Sequence, residues 1–390
     1  MGPKDKHPST GDLFQQPLAE LINLKHPLVK LAELIDWSVF ETRWAEFFPS
    51  KTGRPASSPR LIAGLLYLQH TFACSDEDLI WTWVENPYWQ HFCGESYFQH
   101  EAPIDPSSMT RWRQRVGEEG VEGLLTETIA AARRGKVVKA RSFEKIIVDT
   151  TVMEKAVAYP TDSRLLERGR QHLVKLAGTL GISLRQNYNR EAPRLAAQVG
   201  RYAHAKQYRR MKATLKSLRT VVGRVWRDID RKLDRQNETQ AAKANRILVR
   251  VKRLLEQKPK DKNKLYSLHA PEVECISKGK VRQPYEFGVK VTVATTHREG
   301  LVVGMRSLPG NPYDGHTLSE AIEQVRLLTA QKPKAVFVDK GYRGVSVGGV
   351  TIWRSGQKRG VTPSIKKAIH RRSAIEPAIG HDLPRYFRTN

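Results

Sequence analysis

Three carboxylates from distant parts of the chain are of the residue type that metal-assisted chemistry needs. Asp149 follows the apolar residues 146–148, Asp339 follows the apolar residues 335–338, and Glu376 lies in a segment with helical character. Hard ions such as Mg²⁺ prefer carboxylate oxygens, and two such ions can activate a nucleophile and stabilise a leaving oxygen at a phosphodiester. We therefore predict that the three side chains meet around two divalent ions. The local alternative is that each Asp only caps the turn after its strand.

The net charge of the chain indicates what such a site would act on. Among 390 residues, 66 Lys and Arg face 40 Asp and Glu, which leaves a formal charge of +26. An excess of this size is typical of proteins that bind nucleic acid. The alternative is a basic enzyme whose substrate is not a polyanion. Charge and carboxylates together predict metal-assisted chemistry on a nucleic-acid backbone.

The sequence disfavours membrane and secreted proteins. Its longest apolar run, residues 61–68, is far shorter than the ~20 residues of a membrane-spanning helix. The opening MGPKDKHPSTGD lacks the apolar stretch of a signal peptide. Three widely spaced cysteines, Cys74, Cys93 and Cys275, indicate reduced thiols rather than a disulfide framework. We expect a cytoplasmic protein with no membrane partner.

The front of the chain has the pattern of a helical region. Residues 1–50 form an N-terminal helical segment, and the composition of residues 51–59 is that of a linker. Ser58 and Pro59 predict the start of a helix, because Pro suits the first helical position. Ser75 predicts a second helix, with Asp78 at the spacing of a capping box.

A third, basic helix should begin near residues 106–108. Three short helices that end in a basic one are compatible with a helix-turn-helix DNA-binding domain at 51–140. An ordinary helical bundle with a solvated basic face explains the pattern equally well. On the first interpretation, the residues that contact DNA are Arg111, Arg113 and Arg115.

Residues 141–390 predict an α/β catalytic domain. Strands are expected at 145–152, 335–339 and 350–353, together with a hairpin at 285–308 whose apolar residues alternate. A helix is expected at 316–330. The polar, helix-prone residues at about 162–266 predict an inserted helical hairpin, whose cationic face at 205–235 either rests on phosphates or is simply solvated. This order of elements predicts a mixed sheet covered by helices.

Two further groups of polar residues lie near the predicted metal site. Arg372 precedes Glu376 by one helical turn, so it forms either a surface ion pair or a contact with a phosphate. Asp314 and His316 lie in the loop GNPYDGH and belong either to the rim of the site or to a solvated turn, which the composition of the loop favours.

Motifs along most of the chain resemble those of bacterial insertion-sequence transposases of the DDE class, in the group called insertion sequence five. The matching segments are LLYLQHTF, WVENPYWQHFCGE, IDPSSMTRWRQR, IIVDTTV, HAPEVECISKGK, PYEFGVKV, LPGNPYDGH, VDKGYRG and RRSAIEPAIGH. The resemblance implies a ribonuclease-H-like catalytic fold and a protein that cuts the ends of a mobile element. It also implies joining of the 3′ hydroxyls to target DNA with Mg²⁺ or Mn²⁺.

The resemblance assigns roles to individual residues. Asp149, Asp339 and Glu376 become the three catalytic carboxylates and metal ligands. VDKGYRG matches the family's Asp-x-Gly-Tyr stretch, and we expect Tyr342 and Arg343 of this loop, with Arg372, to contact DNA. The expected partners are element ends and target DNA, bound by a homodimer or larger multimer, because two ends must be paired.

The chain departs from the family's pattern near Glu376. The family's signature is Tyr-x2-Arg-x3-Glu-x6-Lys; Arg372 and Glu376 match it, but Ile369 stands at the Tyr position and Leu383 at the Lys position. The resemblance stops at His381, where relatives continue with a long helical segment. We interpret this ending as a frameshift or truncation.

Three functions are compatible with the sequence. The first is a DNA transposase acting by two-metal phosphoryl transfer. The second is a catalytically impaired, shortened transposase that binds element ends and regulates an intact one. The third is a nucleic-acid-binding protein without catalysis.

Overall fold

The structure is a computed structural model that describes residues 16–47, 57–234, 237–277 and 284–382. The linker predicted at 51–59 falls largely outside these residues, as do the end of the HAPEVECISKGK motif, Leu383 and the tail that follows it. The chain divides into two compact units. The first unit comprises residues 1–151, 291–306 and 313–390, and the second unit comprises residues 152–290 and 307–312. The division into domains 1–50, 51–140 and 141–390 stays a prediction.

Helices open the first unit. In its described N-terminal part they are α1 (Leu18–Leu21), α2 (Pro27–Leu34), α3 (Ser38–Arg43), α4 (Pro59–Phe72), α5 (Asp76–Glu85), α6 (Pro87–Phe92) and α7 (Ser107–Arg134). The starts predicted near residues 58, 75 and 107 are confirmed. At the start of α5, the Ser75 hydroxyl accepts a hydrogen bond from the Asp78 N–H at 3.1 Å, as an N-cap should. Pro59 occupies the first turn of α4, although the Ser58 side chain makes no capping bond among the described residues.

Aromatic side chains form the core of these helices. Trp37 packs edge-on against Phe92, with ring centroids 5.2 Å apart, and Phe40 packs against Trp44 at 5.3 Å. The apolar face of α4 is buried here, including Leu65, which has no exposed surface. Burial of such rings supplies most of the stabilisation of a helical layer.

An ion pair fixes α5 against α7. Arg113 donates two hydrogen bonds of 2.7 Å to the two carboxylate oxygens of Asp76, and a third of 3.1 Å to Gln69 Oε1. Burial works to raise the pKa of Asp76, but hydrogen bonds from Arg113 and Gln69 outweigh it, so the pKa lies below its ordinary value of 3.8. The charged form of Asp76 is therefore the one that the fold stabilises.

The sheet contains six strands among the described residues: β1 (Lys145–Glu154), β2 (Glu274–Ser277), β3 (Tyr285–Thr296), β4 (Val302–Leu308), β5 (Ala335–Val338) and β6 (Thr351–Arg354). Their order is β2-β3-β1-β5-β6, with β4 paired to β3. β2 and β3 are antiparallel, whereas β1–β5 and β5–β6 are parallel. The predicted mixed sheet and the hairpin are confirmed.

Helices pack beside this sheet in the first unit. They are α12 (Asp314–Thr329), α13 (Pro363–His370) and α14 (Ile375–Pro377), and 3₁₀ turns lie at Ala140–Glu144 and Arg371–Ala374. Leu318, Ile322 and Val325 of α12 are buried with Val148 and Val336 of the sheet. No helix in the described ranges is long and apolar enough to cross a membrane.

Both faces of β3 are buried, whereas the alternation of apolar residues predicted burial of one face. Val289, Val291 and Val293 are buried as expected, but Thr292 and Thr296, on the opposite face, are also almost fully buried. The predicted apolar face is confirmed, and the opposite face of β3 is buried as well. Threonine tolerates burial in such a strand through its β-branched shape.

The inserted region is larger than the predicted hairpin. In the second unit it has four helices among the described residues: α8 (Asp162–Thr179), α9 (Glu191–His204), α10 (Tyr208–Lys232) and α11 (Glu238–Glu256). Their apolar faces form a core of their own, which includes Leu173, Val222 and Val251. The prediction was wrong because left-handed turns at Tyr188 and Lys206 break the chain into additional helices, and neither residue type signals such a turn.

We expect Gly288→Ala to destabilise the protein. A Cβ at Gly288 would collide with the backbone carbonyl of Met153, so strands would have to shift at a cost of about 1–3 kcal/mol. The matched control is Gly200→Ala, on the exposed side of α9, where a Cβ meets nothing within 4 Å. Alanine there should be neutral or stabilise by up to ~1 kcal/mol. Urea denaturation measures both; equal effects would contradict the close approach.

We expect Asp76→Asn to lower the free energy of unfolding by about 1.5–3 kcal/mol near neutral pH, because Arg113 loses a charged acceptor. The pKa of Asp76 is lower in the folded protein, so its contribution is present above the unfolded pKa and is lost as pH falls through the folded value. The difference between wild type and variant should therefore shrink below about pH 3.8. Exposed Glu77→Gln should change stability by less than ~0.5 kcal/mol. A difference that stays constant with pH would contradict the role of the Asp76 charge.

Candidate active site

Parallel pairing of β1 with β5 places the first two carboxylates at one edge of the sheet. Ile147 lies opposite Phe337, and the same register continued by two residues sets Asp149 opposite Asp339. The apolar residues before each Asp are buried in the sheet, so the strands are held firmly up to the point where the carboxylates begin. The predicted proximity is therefore present in the fold, but only Asp339 follows the end of its strand, because β1 continues beyond Asp149 to Glu154.

Asp149 is the more buried of the pair. Its carboxylate accepts a hydrogen bond of 2.9 Å from the Thr150 N–H and one of 2.8 Å from Arg372. Burial raises the pKa of Asp149 above its ordinary value, and the nearby charge of Asp339 adds to this effect, while Arg372 opposes it. Burial therefore destabilises the ionised carboxylate of Asp149, and the charge of Arg372 offsets only part of this desolvation cost.

Arg372 lies among all three predicted carboxylates. Its guanidinium nitrogens are 2.8 Å from Asp149 Oδ2, 4.0 Å from Asp339 Oδ1 and 3.9 Å from Glu376 Oε1. Only 16% of the Arg372 side chain is exposed, compared with 51% for Asp339 and 66% for Glu376. The structure thus brings the three carboxylates around one cation, and that cation is an arginine side chain.

The segment that carries Arg372 and Glu376 is anchored from both sides. Arg371 donates hydrogen bonds of 2.9 and 2.5 Å to the carbonyls of His297 and Arg298, and the His297 ring donates one of 2.9 Å to the Ala368 carbonyl. Ile375, between Arg372 and Glu376 in the chain, is fully buried. Helix α14 has only three residues. Glu376 is therefore positioned by these anchors and not by a long helix.

The three carboxylates have the donor chemistry of metal ligands. Their oxygens suit Mg²⁺ and Mn²⁺. In the part of the chain that the structure describes, however, no three His, Cys, Asp or Glu side chains are close enough to one another to hold an ion. The donor chemistry fits a divalent ion, whereas the spacing fits the guanidinium of Arg372.

Asp314 joins the neighbourhood of Asp149. Its carboxylate accepts a hydrogen bond of 2.9 Å from the Thr150 hydroxyl, and it begins α12. Tyr313, beside it, donates a hydrogen bond to the Gly341 carbonyl in the loop after Asp339. The weaker of the two interpretations of this loop, the rim of the site, is thus the one that the geometry favours for Asp314. The signal in the sequence was only the Asp itself, within a turn-forming loop.

The loop after Asp339 does not present both predicted DNA contacts. Arg343 is exposed, but Tyr342 is 1% exposed and packs in the core of the sheet. Burial, followed by the charges of Asp314 and Asp149, raises the pKa of Tyr342, so its phenol stays neutral. The expectation that Tyr342 contacts DNA is corrected, because its ring is buried in the core beside the sheet and is not accessible to a ligand.

The three arginines of α7 that were predicted to contact DNA have different surroundings. Arg113 is committed to Asp76, whereas Arg111 and Arg115 are exposed on the helix. The Arg115 guanidinium lies over the Trp112 ring at 5.0 Å, which holds it on the surface. Arg111 and Arg115 are thus the two whose exposure is compatible with a nucleic-acid contact.

Comparisons with known proteins bear on both regions. Residues 16–115 match the family described as "Transposase domain (DUF772)", and residues 227–367 match the "Transposase DDE domain". Asp339 lies within the second match, whereas Asp149, Arg372 and Glu376 lie outside both. No solved structure is significantly similar to the chain.

A relative from Rhizobium meliloti, named "Uncharacterized protein ORF8 in nfe locus", is 48% identical over 207 residues, which are 53% of this chain and 100% of the relative. Its name carries no activity. The two family matches, at residues 16–115 and 227–367, are both to transposase domains. The chain belongs to the DDE transposases of insertion sequences.

Proposed function

We propose that the protein is a DNA transposase with a ribonuclease-H-like catalytic fold, which cleaves insertion-sequence ends and joins them to target DNA. The observation that carries the proposal is the meeting of Asp149, Asp339 and Glu376 around Arg372 at one edge of the sheet. The family supplies the reaction class, and the convergence of three carboxylates supplies its chemistry. We also propose action as a dimer or larger multimer in the cytoplasm, since two ends must be paired.

The three carboxylates would hold Mg²⁺ or Mn²⁺, which when bound lowers the barrier of phosphoryl transfer by activating the attacking oxygen and stabilising the leaving one. Asp149 and Asp339 are positioned by paired strands, which suits a site that must be preorganised. Glu376 is the most exposed of the three and would complete the site from the other side. Arg372 would orient a phosphate through its paired N–H donors.

Two exposed cationic surfaces are the candidates for holding DNA. The first is α7, through Arg111 and Arg115. The second is α10, whose apolar residues are buried in the core of the second unit and whose opposite face is exposed and basic. The exposed cations of α10 are Arg209, Arg210, Lys212, Lys216, Arg224, Arg227, Arg231 and Lys232. Phosphate contacts of this kind carry affinity rather than sequence preference.

We expect Asp149→Asn, Asp339→Asn and Glu376→Gln each to lower the rates of end cleavage and strand joining by at least about 10²-fold, the cost of a misplaced reacting group. The measurement uses purified protein, Mg²⁺ or Mn²⁺, and labelled DNA containing the terminal repeats that flank the coding sequence. Glu323→Gln is the control, since this exposed carboxylate pairs only with Arg326 on the surface of α12 among the described ion pairs. Full activity of Asp149→Asn would refute the assignment. End binding without cleavage by the wild type would instead support a DNA-end-binding regulator.

We expect the double variant Arg111→Gln/Arg115→Gln to weaken DNA binding and to reduce the slope of log K against log salt by about 2, one unit for each phosphate that is no longer neutralised. Fluorescence anisotropy between about 50 and 200 mM salt measures this slope. Arg326→Gln removes an exposed charge elsewhere and should leave the slope unchanged within error. Equal slopes for wild type and double variant would exclude α7 from the interface.

A further inference from the structure

We infer that Arg372 is a built-in counterion of the catalytic carboxylates, which competes with divalent metal for them and is released toward DNA when metal binds. The inference rests on the proposed function, since it takes Asp149, Asp339 and Glu376 as the metal-binding groups. It goes beyond that function by coupling metal binding to DNA binding through one side chain.

The arrangement of charges carries the first step. Three carboxylates gathered at one edge of the sheet would repel one another without a cation between them. Arg372 lies within 4.0 Å of all three and is the least exposed of the four side chains. A guanidinium keeps its charge at any ordinary pH and offers five N–H donors, so it can serve several carboxylates at once.

The placement of Arg372 is built into the fold. The backbone on one side is tied by Arg371 to the His297 and Arg298 carbonyls, and on the other side Ile375 is buried. Arg372 therefore points at the carboxylates because its neighbours are fixed, and not because a surface ion pair happens to form. An exposed pair formed by chance would have no such anchors.

Competition follows from the atoms involved. Asp149 Oδ2 already accepts a hydrogen bond from Arg372 at 2.8 Å, and a metal ion on the same carboxylate would be repelled by the charge of the guanidinium. The described carboxylates are not close enough to one another to hold an ion while the arginine stands among them. Metal binding therefore requires the Arg372–Asp149 bond to open.

Release of Arg372 creates a second consequence. A guanidinium that has left its carboxylates next to the site is an anion receptor, and phosphate oxygens match its fork geometry. Since coupling between two ligands is reciprocal, metal should tighten DNA binding and DNA should tighten metal binding. The ligand chemistry is a nucleic-acid phosphodiester, because free phosphate would not engage the cationic helices at the same time.

The first experiment measures Mn²⁺ affinity of the DNA-free protein by electron paramagnetic resonance. Arg372→Gln should bind Mn²⁺ about 10-fold more tightly than wild type, within the usual range of a coupling between sites. Arg326→Gln removes an equal charge from the surface and should match wild type within about 2-fold, a margin well below that coupling. Unchanged or weaker affinity of Arg372→Gln would overturn the inference.

A second variant covers the case in which Arg372→Gln does not fold. Arg372→Lys keeps the charge but is a point charge that cannot serve three carboxylates together, so its Mn²⁺ affinity should lie between those of wild type and the Gln variant. A Lys variant that binds no more tightly than wild type would contradict the inference. Without Mn²⁺, the Gln variant should also unfold at a lower temperature than wild type, because the carboxylates then repel one another unopposed.

The coupling has its own measurement. Mg²⁺ should strengthen binding of short duplex DNA to wild type, and this gain should disappear in Arg372→Gln. None of these readouts requires cleavage. Tighter metal binding by the variant together with an inactive wild type would refute the proposed function alone, whereas an active wild type with unchanged metal affinity in the variant would refute the counterion role alone.

Discussion

The parallel pairing of β1 with β5 is the constraint on which the rest of the site depends. It sets Asp149, within β1, beside Asp339, which directly follows β5, and the apolar residues that precede both are buried. Like charges so placed are stable only with a cation nearby. The C-terminal segment supplies that cation as Arg372, so the sheet edge and the segment near residue 372 depend on each other electrostatically.

The need for a cation explains why the C-terminal segment is tied down with so little regular structure. Arg371, His297 and Ile375 fix a stretch that consists of a 3₁₀ turn and a three-residue helix. Asp149 lies within β1 and Asp339 directly follows β5, whereas Glu376 lies in this irregular segment and is the most exposed of the three. The site thus combines two aspartates placed by paired strands with a glutamate on a segment of little regular structure, an arrangement that is compatible with the proposed exchange of the arginine for a metal ion.

Many local features were predictable because their causes are local. Ser75 caps α5, Pro59 opens α4, and the branched residues before Asp149 and Asp339 form strands. Features that depend on distant neighbours were not predictable. The burial of the second face of β3 and of the Tyr342 ring depends on packing by residues that are distant in the sequence. The four helices of the insertion depend on left-handed turns at residues that do not favour them.

Residue types and motif spacing alone were sufficient to identify the family and to single out the three carboxylates, because the charge and the chemical group of each side chain are fixed by its residue type. Only the tertiary structure shows that Arg372 lies among those carboxylates and that Arg113 is the arginine of α7 paired with Asp76. It alone also shows the hydrogen bond between Asp314 and Thr150. The physical reason is that ion pairing depends on distance and burial between residues far apart in the chain, and neither quantity has a signature in the order of the amino acids.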